Sequence, residues 1–247
     1  RSPAAIESAF ERIRETGLRA VELAYIKLEP DEIDAVDRAR KAKGITVGST
    51  QITFDILDRK RDWVLQFHEQ LDCRIASVSV LPMRAIRGSR DTLLRFAEKL
   101  EVLGRFYGEN GVQLCYHHHD FEFRHYGDEL GLDLLLANTT PEYVGLELDT
   151  YWVARGGRSP QDLIADLDGR VKVVHLRDFR LRWKLFSLRP EDCELGSGNL
   201  DFRRIVESCV SNGVDYMAIE QATATPFESV AKSVAHLNEL GFSPLFQ

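Results

Sequence analysis

The chain has 247 residues, is 44% hydrophobic and carries a formal net charge of −7. That supplies apolar material for one sizeable core, and a single α/β barrel fills this length without a second domain. The acidic balance argues against nucleic acid or an anionic membrane as partner, and no apolar run approaches the ~18 residues that cross a bilayer. Cys73, Cys115, Cys193 and Cys209 form no CxxC pair. Scattered cysteines in an acidic chain read as reduced thiols, which with no visible leader points to the cytoplasm.

Helical and strand patterns alternate from end to end. Ser2-Pro3 gives an N-cap followed by proline, and the pattern predicts a helix from there to about Thr16. It then predicts a strand over 20–25, a helix over 30–43 stopped at Gly44, a strand over 45–50, a helix over 58–70 and a strand over 74–81. A long amphipathic helix over 89–107 precedes a strand over 111–119, a short helix over 129–138 and a strand over 143–149. Ser159-Pro160 caps a helix through Leu167, followed by a strand over 171–176, a helix over 200–211, a strand over 216–221 and a closing helix over 226–240. The reading has one more helix than strand and begins on a helix. The fold class is therefore α/β, a (β/α)8 TIM barrel of one domain over residues 1–247, with its first strand missing from the chain. A doubly wound open sheet is the alternative. Metal-capable residues at successive strand ends favour the barrel, which gathers strand ends at one rim.

Three apolar runs end in such residues: Gly145 to Asp149, Val171 to His175 and Tyr216 to Glu220. Taken singly, Asp149 reads as a loop cap, His175 as a satisfied core histidine and Glu220 as a salt-bridge partner. Taken together on consecutive strands they read as ligands of a divalent ion, because carboxylates with imidazole and no thiolate suit Mn2+, Co2+, Mg2+ or Zn2+. A fourth ligand comes from the strand ending in His117, His118 and His119, followed by Asp120 and Glu122. Alternation puts Cys115, His117 and His119 on one face. Glu122 lies just beyond, where a bulge would swing it to the metal. Glu147 sits one layer below Asp149 and reads as a buried charge partner.

The segments Tyr116-His117-His118-His119-Asp120-Phe121-Glu122-Phe123, Leu146-Glu147-Leu148-Asp149-Thr150-Tyr151-Trp152, His175-Leu176-Arg177-Asp178, Gly196-Ser197-Gly198-Asn199-Leu200-Asp201-Phe202 and Ile219-Glu220-Gln221 carry a family likeness. Through them the chain resembles the xylose-isomerase-like TIM-barrel superfamily of sugar phosphate isomerases and epimerases. The resemblance implies one divalent metal, manganese first, held by Glu, Asp, His and Glu; Asp149, His175 and Glu220 fall on three of these positions. The chain departs from the pattern elsewhere. His117 stands in the first glutamate slot, His118 replaces a common asparagine, Trp152 a common histidine and Arg177 a common lysine. Arginine stays charged and is a poor proton-transfer base.

The implied reaction is isomerisation or epimerisation of a keto-sugar or sugar phosphate. The metal acts as Lewis acid for an enediolate, Glu220 as base, and Glu122 or a nearby histidine as its partner. His119, Trp152, Arg155 and Arg177 are the candidates for holding the sugar. A hydro-lyase or glycoside-cleaving lyase on a keto-sugar or keto-inositol shares the first half of this chemistry and is the enzymatic alternative. A non-catalytic sugar-binding barrel is the alternative outside catalysis. Trp152 and the acidic balance count against the nucleases of related barrels. The Gly196–Asn199 turn is a weak phosphate signal. Pairing into a homo-oligomer through surface helices is expected of such a barrel.

Overall fold

The computed structural model describes residues 2–246. In chain order its elements are α1 (Pro3–Glu15), β1 (Ala20–Leu23), α2 (Pro30–Lys43), β2 (Thr46–Ile52), α3 (Phe54–Arg59), α4 (Arg61–Leu71), β3 (Ile75–Val78), α5 (Met83–Ile86), α6 (Arg90–Glu109) and β4 (Gln113–His117). After a short 3-10 turn, Phe121–Phe123, come β5 (His125–Tyr126), β6 (Glu129–Leu130), α7 (Gly131–Ala137), β7 (Val144–Asp149), α8 (Thr150–Arg155), α9 (Pro160–Asp166) and β8 (Val171–Leu176). The chain continues through β9 (Asp178–Lys184), β10 (Ser187–Cys193), α10 (Phe202–Ser211), β11 (Tyr216–Ile219), α11 (Pro226–Glu239) and α12 (Ser243–Phe246).

Seven strands form one parallel sheet in the order β1-β2-β3-β4-β7-β8-β11, curled into a nearly closed barrel with β1 and β11 as its edges. These are the seven strands that the apolar runs predict. β5–β6 and β9–β10 are separate two-stranded hairpins outside it. The helix predicted over 58–70 divides into α3 and α4, which meet at Lys60 with its backbone at φ −120°, ψ 37°.

Strands buried on both faces read as continuous apolar runs, and β3 and β7 are buried at every position. The helices cover the outside. α6 turns Leu93, Phe96, Ala97, Leu100, Leu103 and Tyr107 inward at helical spacing. Gly104 lies so close to β7 that a Cβ there would come within 2.5 Å of the Tyr143 carbonyl.

Inside the barrel the layers differ in chemistry. Ile75, Cys115 and Val173 pack with Tyr216 into an apolar floor. Room for it comes from Gly145, where a Cβ would meet the Cys115 sulfur at 2.9 Å. Two residues along each strand, alternation places Ser77, His117, Glu147 and His175 directly above that floor. The polar layer is therefore a consequence of register: one more step along β7 gives Asp149 at the rim. All four cysteines are free and buried, and among the described residues no helix is long and apolar enough to cross a membrane.

His68 on α4 is a buried histidine away from the rim. One ring nitrogen, Nδ1, lies 3.1 Å from the Cys73 carbonyl and the other, Nε2, lies 2.9 Å from the Thr50 hydroxyl. Burial pushes its pKa down to about 4, against a smaller upward pull from the Cys73 carbonyl. The folded state thus refuses a proton that the unfolded histidine accepts near pH 6.5. The contribution of His68 to stability is lost as pH drops from about 6.5 towards 4, by on the order of 3 kcal/mol. Urea unfolding across that window should show this acid slope. His68→Gln, which keeps an acceptor for Thr50, should remove it; an unchanged slope would show that other groups dominate.

Candidate active site

The ends of β4, β7 and β8 converge. One ligand atom from each of His117, Asp149 and His175 lies within 4.8 Å of the others, and all three residues are buried. Glu220, one residue beyond β11, joins them: its Oε2 is 2.6 Å from His175 Nδ1. The cluster is built by strand ends alone, so the ladder registers fix it, with Asp149 paired to His175 and Ala218 to His175 in the sheet.

Beneath it lies a charged network. The far nitrogen of His175, Nε2, is 2.9 Å from Glu22 Oε1 and 3.0 Å from Glu147 Oε1. Glu22 also accepts from Ser49 at 2.6 Å, and Glu147 accepts from Gln51 at 2.5 Å. His117 Nδ1 approaches Glu147 at 3.2 Å without hydrogen-bond alignment. Burial opposes a charged His175, but Glu22 and Glu147 outweigh it and hold its pKa well above the usual value. Burial likewise opposes ionisation of Glu147, and His175 with His117 overrides it and pulls the carboxyl well down. Glu22 is pushed up by burial and by its neighbour Glu147.

The donor set suits a divalent ion. Asp149 Oδ1 caps α8 by accepting from Trp152 N at 3.0 Å, while its Oδ2 is buried with no hydrogen-bond partner. An unsatisfied buried carboxylate oxygen costs several kcal/mol unless a cation or donor meets it. The Arg177 guanidinium stands 3.8 Å from both Asp149 Oδ2 and Glu220 Oε1, too far for a hydrogen bond. Carboxylate oxygens with imidazole nitrogens and no thiolate are the ligands of Mn2+, Mg2+, Co2+ or catalytic Zn2+.

His117, His119, Trp152, His175, Arg177 and Glu220 all line a cavity of about 720 Å³ above this cluster. His119 stacks on Phe121 at 5.0 Å and faces Trp152 at 5.3 Å. Its Nδ1 has no partner, and burial lowers its pKa to about 4. His118 points the other way. Its Nε2 accepts from the Asp149 backbone N–H at 3.2 Å, and its Nδ1 lies 3.1 Å from the His119 carbonyl, so the pair of contacts selects a neutral ring protonated at Nδ1. It positions the β7 end.

Two expected site residues are not brought to the cluster. Glu122 turns back into the protein: one oxygen accepts from the Tyr116 hydroxyl and the other from the His119 backbone N–H at 2.8 Å. Both lone-pair sets are engaged in holding the histidine loop, and no bulge swings the carboxylate to the rim. Arg155 pairs with Asp120 at 2.7 Å and donates to Tyr151 at 3.0 Å, outside the cavity lining. The glycine turn is also not a phosphate cradle. Gly196 and Gly198 donate to Asp178 Oδ2, Leu200 donates to Oδ1, and the Ser197 and Asn199 amides donate to backbone carbonyls. Conversely, Glu22, Ser49, Gln51 and Asp192 enter without having been singled out. Asp192 grips Arg177 at 2.9 Å. Glu22 carries the signal the other ligands carry, an acid near the end of an apolar strand, in Ala20-Val21-Glu22-Leu23.

Comparison with known proteins agrees with this architecture. A curated relative, inosose dehydratase of Lacticaseibacillus casei, is 29% identical over an alignment of 160 residues that covers 58% of this chain and 53% of that protein. The chain thus spans about half the length of the curated relatives it matches. Among solved structures, a sugar phosphate isomerase/epimerase from Parabacteroides distasonis superposes with a TM-score of 0.77 at 19% identity, covering 98% of this chain and 89% of that one. A probable 3-DHS dehydratase, AsbF, from Bacillus anthracis superposes at 0.76 with 10% identity, covering 94% and 92%. The sequence profile described as xylose isomerase-like TIM barrel matches residues 10–240, nearly the whole chain, and the protein belongs to that family.

Proposed function

We propose that this chain is a divalent-metal-dependent lyase that removes water, or another β-oxygen leaving group, from an uncharged keto-sugar or keto-inositol. The observation that carries this is the placement of carboxylates around the cavity. Glu22 and Glu220 are the carboxylates among its lining residues, and both are tied to the same imidazole, His175, from opposite nitrogens. Two-base epimerisation asks for proton-handling groups on opposite faces of a substrate. Here Glu122, the expected second carboxylate, is locked away. Elimination asks for one carboxylate at the α-carbon and a group that holds the departing oxygen. The similarity to inosose dehydratases supports the same choice.

A divalent ion held by Asp149, Glu220, His117 and, once its Nδ1 has given up the proton shared with Glu220, His175 would supply a Lewis acid for the substrate's carbonyl oxygen. Glu220, the most open of these groups, takes the proton next to that carbonyl. The C–H electron pair becomes the new C=C bond as the β-carbon–oxygen bond breaks, and the proton on Glu220 leaves with the hydroxyl as water. His119, which lines the cavity and which burial keeps uncharged, offers its ring to orient the departing hydroxyl. Trp152 forms an apolar wall for the ring C–H face, and Arg177 closes the rim over Tyr151 and Trp152 at 4.7 and 5.3 Å. The substrate is read as uncharged because Arg177, the one arginine or lysine among the cavity-lining residues, is already gripped by Asp192, and the glycine-turn amides are taken by Asp178 and backbone carbonyls.

With added Mn2+ or Co2+ and an inosose, mass spectrometry should find a product lighter by one water that absorbs as a conjugated enone. An isobaric product would replace the lyase reading by an isomerase or epimerase. The phosphate ester of a turned-over keto-sugar should lose at least about tenfold in kcat/KM, or ~1.4 kcal/mol.

Calorimetric metal titration separates the two acids. Asp149→Asn should weaken binding more than about a hundredfold, whereas Glu122→Gln should stay within a few-fold. Equal losses would return Glu122 to the ligand set.

His119→Ala should lower kcat by about 10²–10⁴-fold with metal affinity unchanged. A variant with full kcat would remove His119 from the chemistry.

A further inference from the structure

β9 and β10 form an antiparallel ribbon that leaves the barrel beside the candidate active site and returns to it. Lys184 pairs with Ser187 across a two-residue loop, Leu185-Phe186. Alternation sorts its side chains: Leu181 and Trp183 share one face with their cross-strand partners Pro190 and Leu188. The other face is charged, with Glu191 accepting from Arg180, Arg182 and Lys184 at 3.4, 3.0 and 2.8 Å. Those ion pairs organise the polar face and leave the apolar face open.

Five of the ten exposed large hydrophobic side chains among the described residues sit on this one ribbon: Leu181, Trp183, Leu185, Phe186 and Leu188. Trp183 is 70% exposed, Leu185 88% and Phe186 94%. A two-stranded ribbon is marginal alone in water, and an apolar concentration of this kind marks an interaction surface. The loop adds a second sign. Leu185 holds φ at +53°, a conformation that favours Gly or Asn and costs a branched apolar residue about 1 kcal/mol. A leucine placed there, in water, keeps the tip apolar against the local preference.

Charge selects the occupant. The projecting residues 180–191 hold four basic side chains and one acidic, a net +3; with Asp178 and Asp192 at its base the whole ribbon carries +1, which leaves −8 on the rest of a chain whose total is −7. An anionic membrane would attract the ribbon but repel the body that carries it. A second copy of this chain offers the ribbon an acidic body instead. That body also has a receptor. Of the five exposed large hydrophobics off the ribbon, Val210 and Leu245 lie together, in a hollow of about 330 Å³ with Phe242, Pro244 and the acid Glu207 on its wall.

We propose that the β9–β10 ribbon is a docking arm whose occupant is a second copy of this chain, with Leu185 and Phe186 seated in the Val210–Leu245 hollow. Reciprocal docking of two arms makes a closed two-fold dimer. The arm's apolar face continues through Phe179, which packs on Tyr151 at 5.3 Å, and Asp192 at its base holds Arg177. Docking therefore stiffens the segment that positions the rim arginine.

Light scattering after gel filtration tests this on the full chain. The wild type should give twice 28.1 kDa at micromolar concentration, and rising salt should shift it towards 28.1 kDa. A Trp183→Ser/Phe186→Ser variant and, separately, Val210→Asp should each run as monomers with unchanged circular dichroism; the substituted side chains are exposed and leave the core intact. A monomeric wild type overturns the proposal. So does a dimer indifferent to the ribbon substitutions, or one lost in the ribbon variant but kept in Val210→Asp. Sedimentation of monomeric wild type with phosphatidylserine vesicles would assign the ribbon to a membrane and overturn it as well.

Discussion

Everything at the rim depends on one imidazole. His175 on β8 is bonded on one side to Glu220 beyond β11 and on the other to Glu22 on β1 and Glu147 on β7. β1 and β11 are the two edges of the sheet, and no backbone ladder joins them. The glutamate–histidine–glutamate chain is thus a side-chain bridge across the seam where the strands do not pair. Charges buried in a protein interior cost several kcal/mol each unless geometry and further hydrogen bonds offset the desolvation. Here Ser49 and Gln51 supply one such bond to each inner carboxylate, while Glu147 Oε2 is buried with no hydrogen-bond partner. Removing one member would strand the others, which is why the network acts as a unit.

In the proposed site that bridge also divides the labour. Glu22 and Glu147 hold a proton on one side of the His175 ring, which orients the other nitrogen towards Glu220 and Asp149. Outer carboxylates that fix a ligand histidine's tautomer are a recurrent feature of metal sites. Glu147 meets both imidazoles one layer below Asp149, and with Glu22 and His175 it forms a second group whose ligand atoms lie within 4.8 Å of one another. The apolar floor of Ile75, Cys115, Val173 and Tyr216 closes the barrel beneath this layer. The reactive groups accordingly face one way only, towards the strand ends.

How much of this is legible in the sequence follows from what fixes each residue's direction. Asp149, His175 and Glu220 end apolar strands, and strand alternation plus parallel pairing leaves them little freedom, so their convergence can be read from order alone. Glu122 and Arg155 sit past strand ends, where the chain has turned. Sequence adjacency to the rim then says nothing about direction, and Tyr116 and Asp120 capture them. Glu22 hides for a different reason. Its strand is short and half-exposed, so the apolar run around it is weak, although its side chain is only 8% exposed. The β9–β10 ribbon is an alternating segment, Arg180-Leu181-Arg182-Trp183-Lys184, that a search for core strands passes over because neither face belongs to the core.

The choice between isomerisation and elimination is likewise a matter of direction, not of composition. Both reactions begin with loss of the proton beside a carbonyl, and the family fold serves both. They part at the second proton transfer. An isomerase or epimerase must return a proton to carbon from a group it controls, whereas an elimination lets the proton leave with oxygen. In this chain the acid nearest in sequence to such a returning role, Glu122, has both oxygens committed to the protein. His119, which lines the cavity and which burial keeps uncharged, offers a hydrogen bond more readily than a proton. In the proposed elimination Glu220 is the working carboxylate and the neutral His119 ring holds the oxygen as it departs, and the locked position of Glu122 supports that reading over return of a proton to carbon.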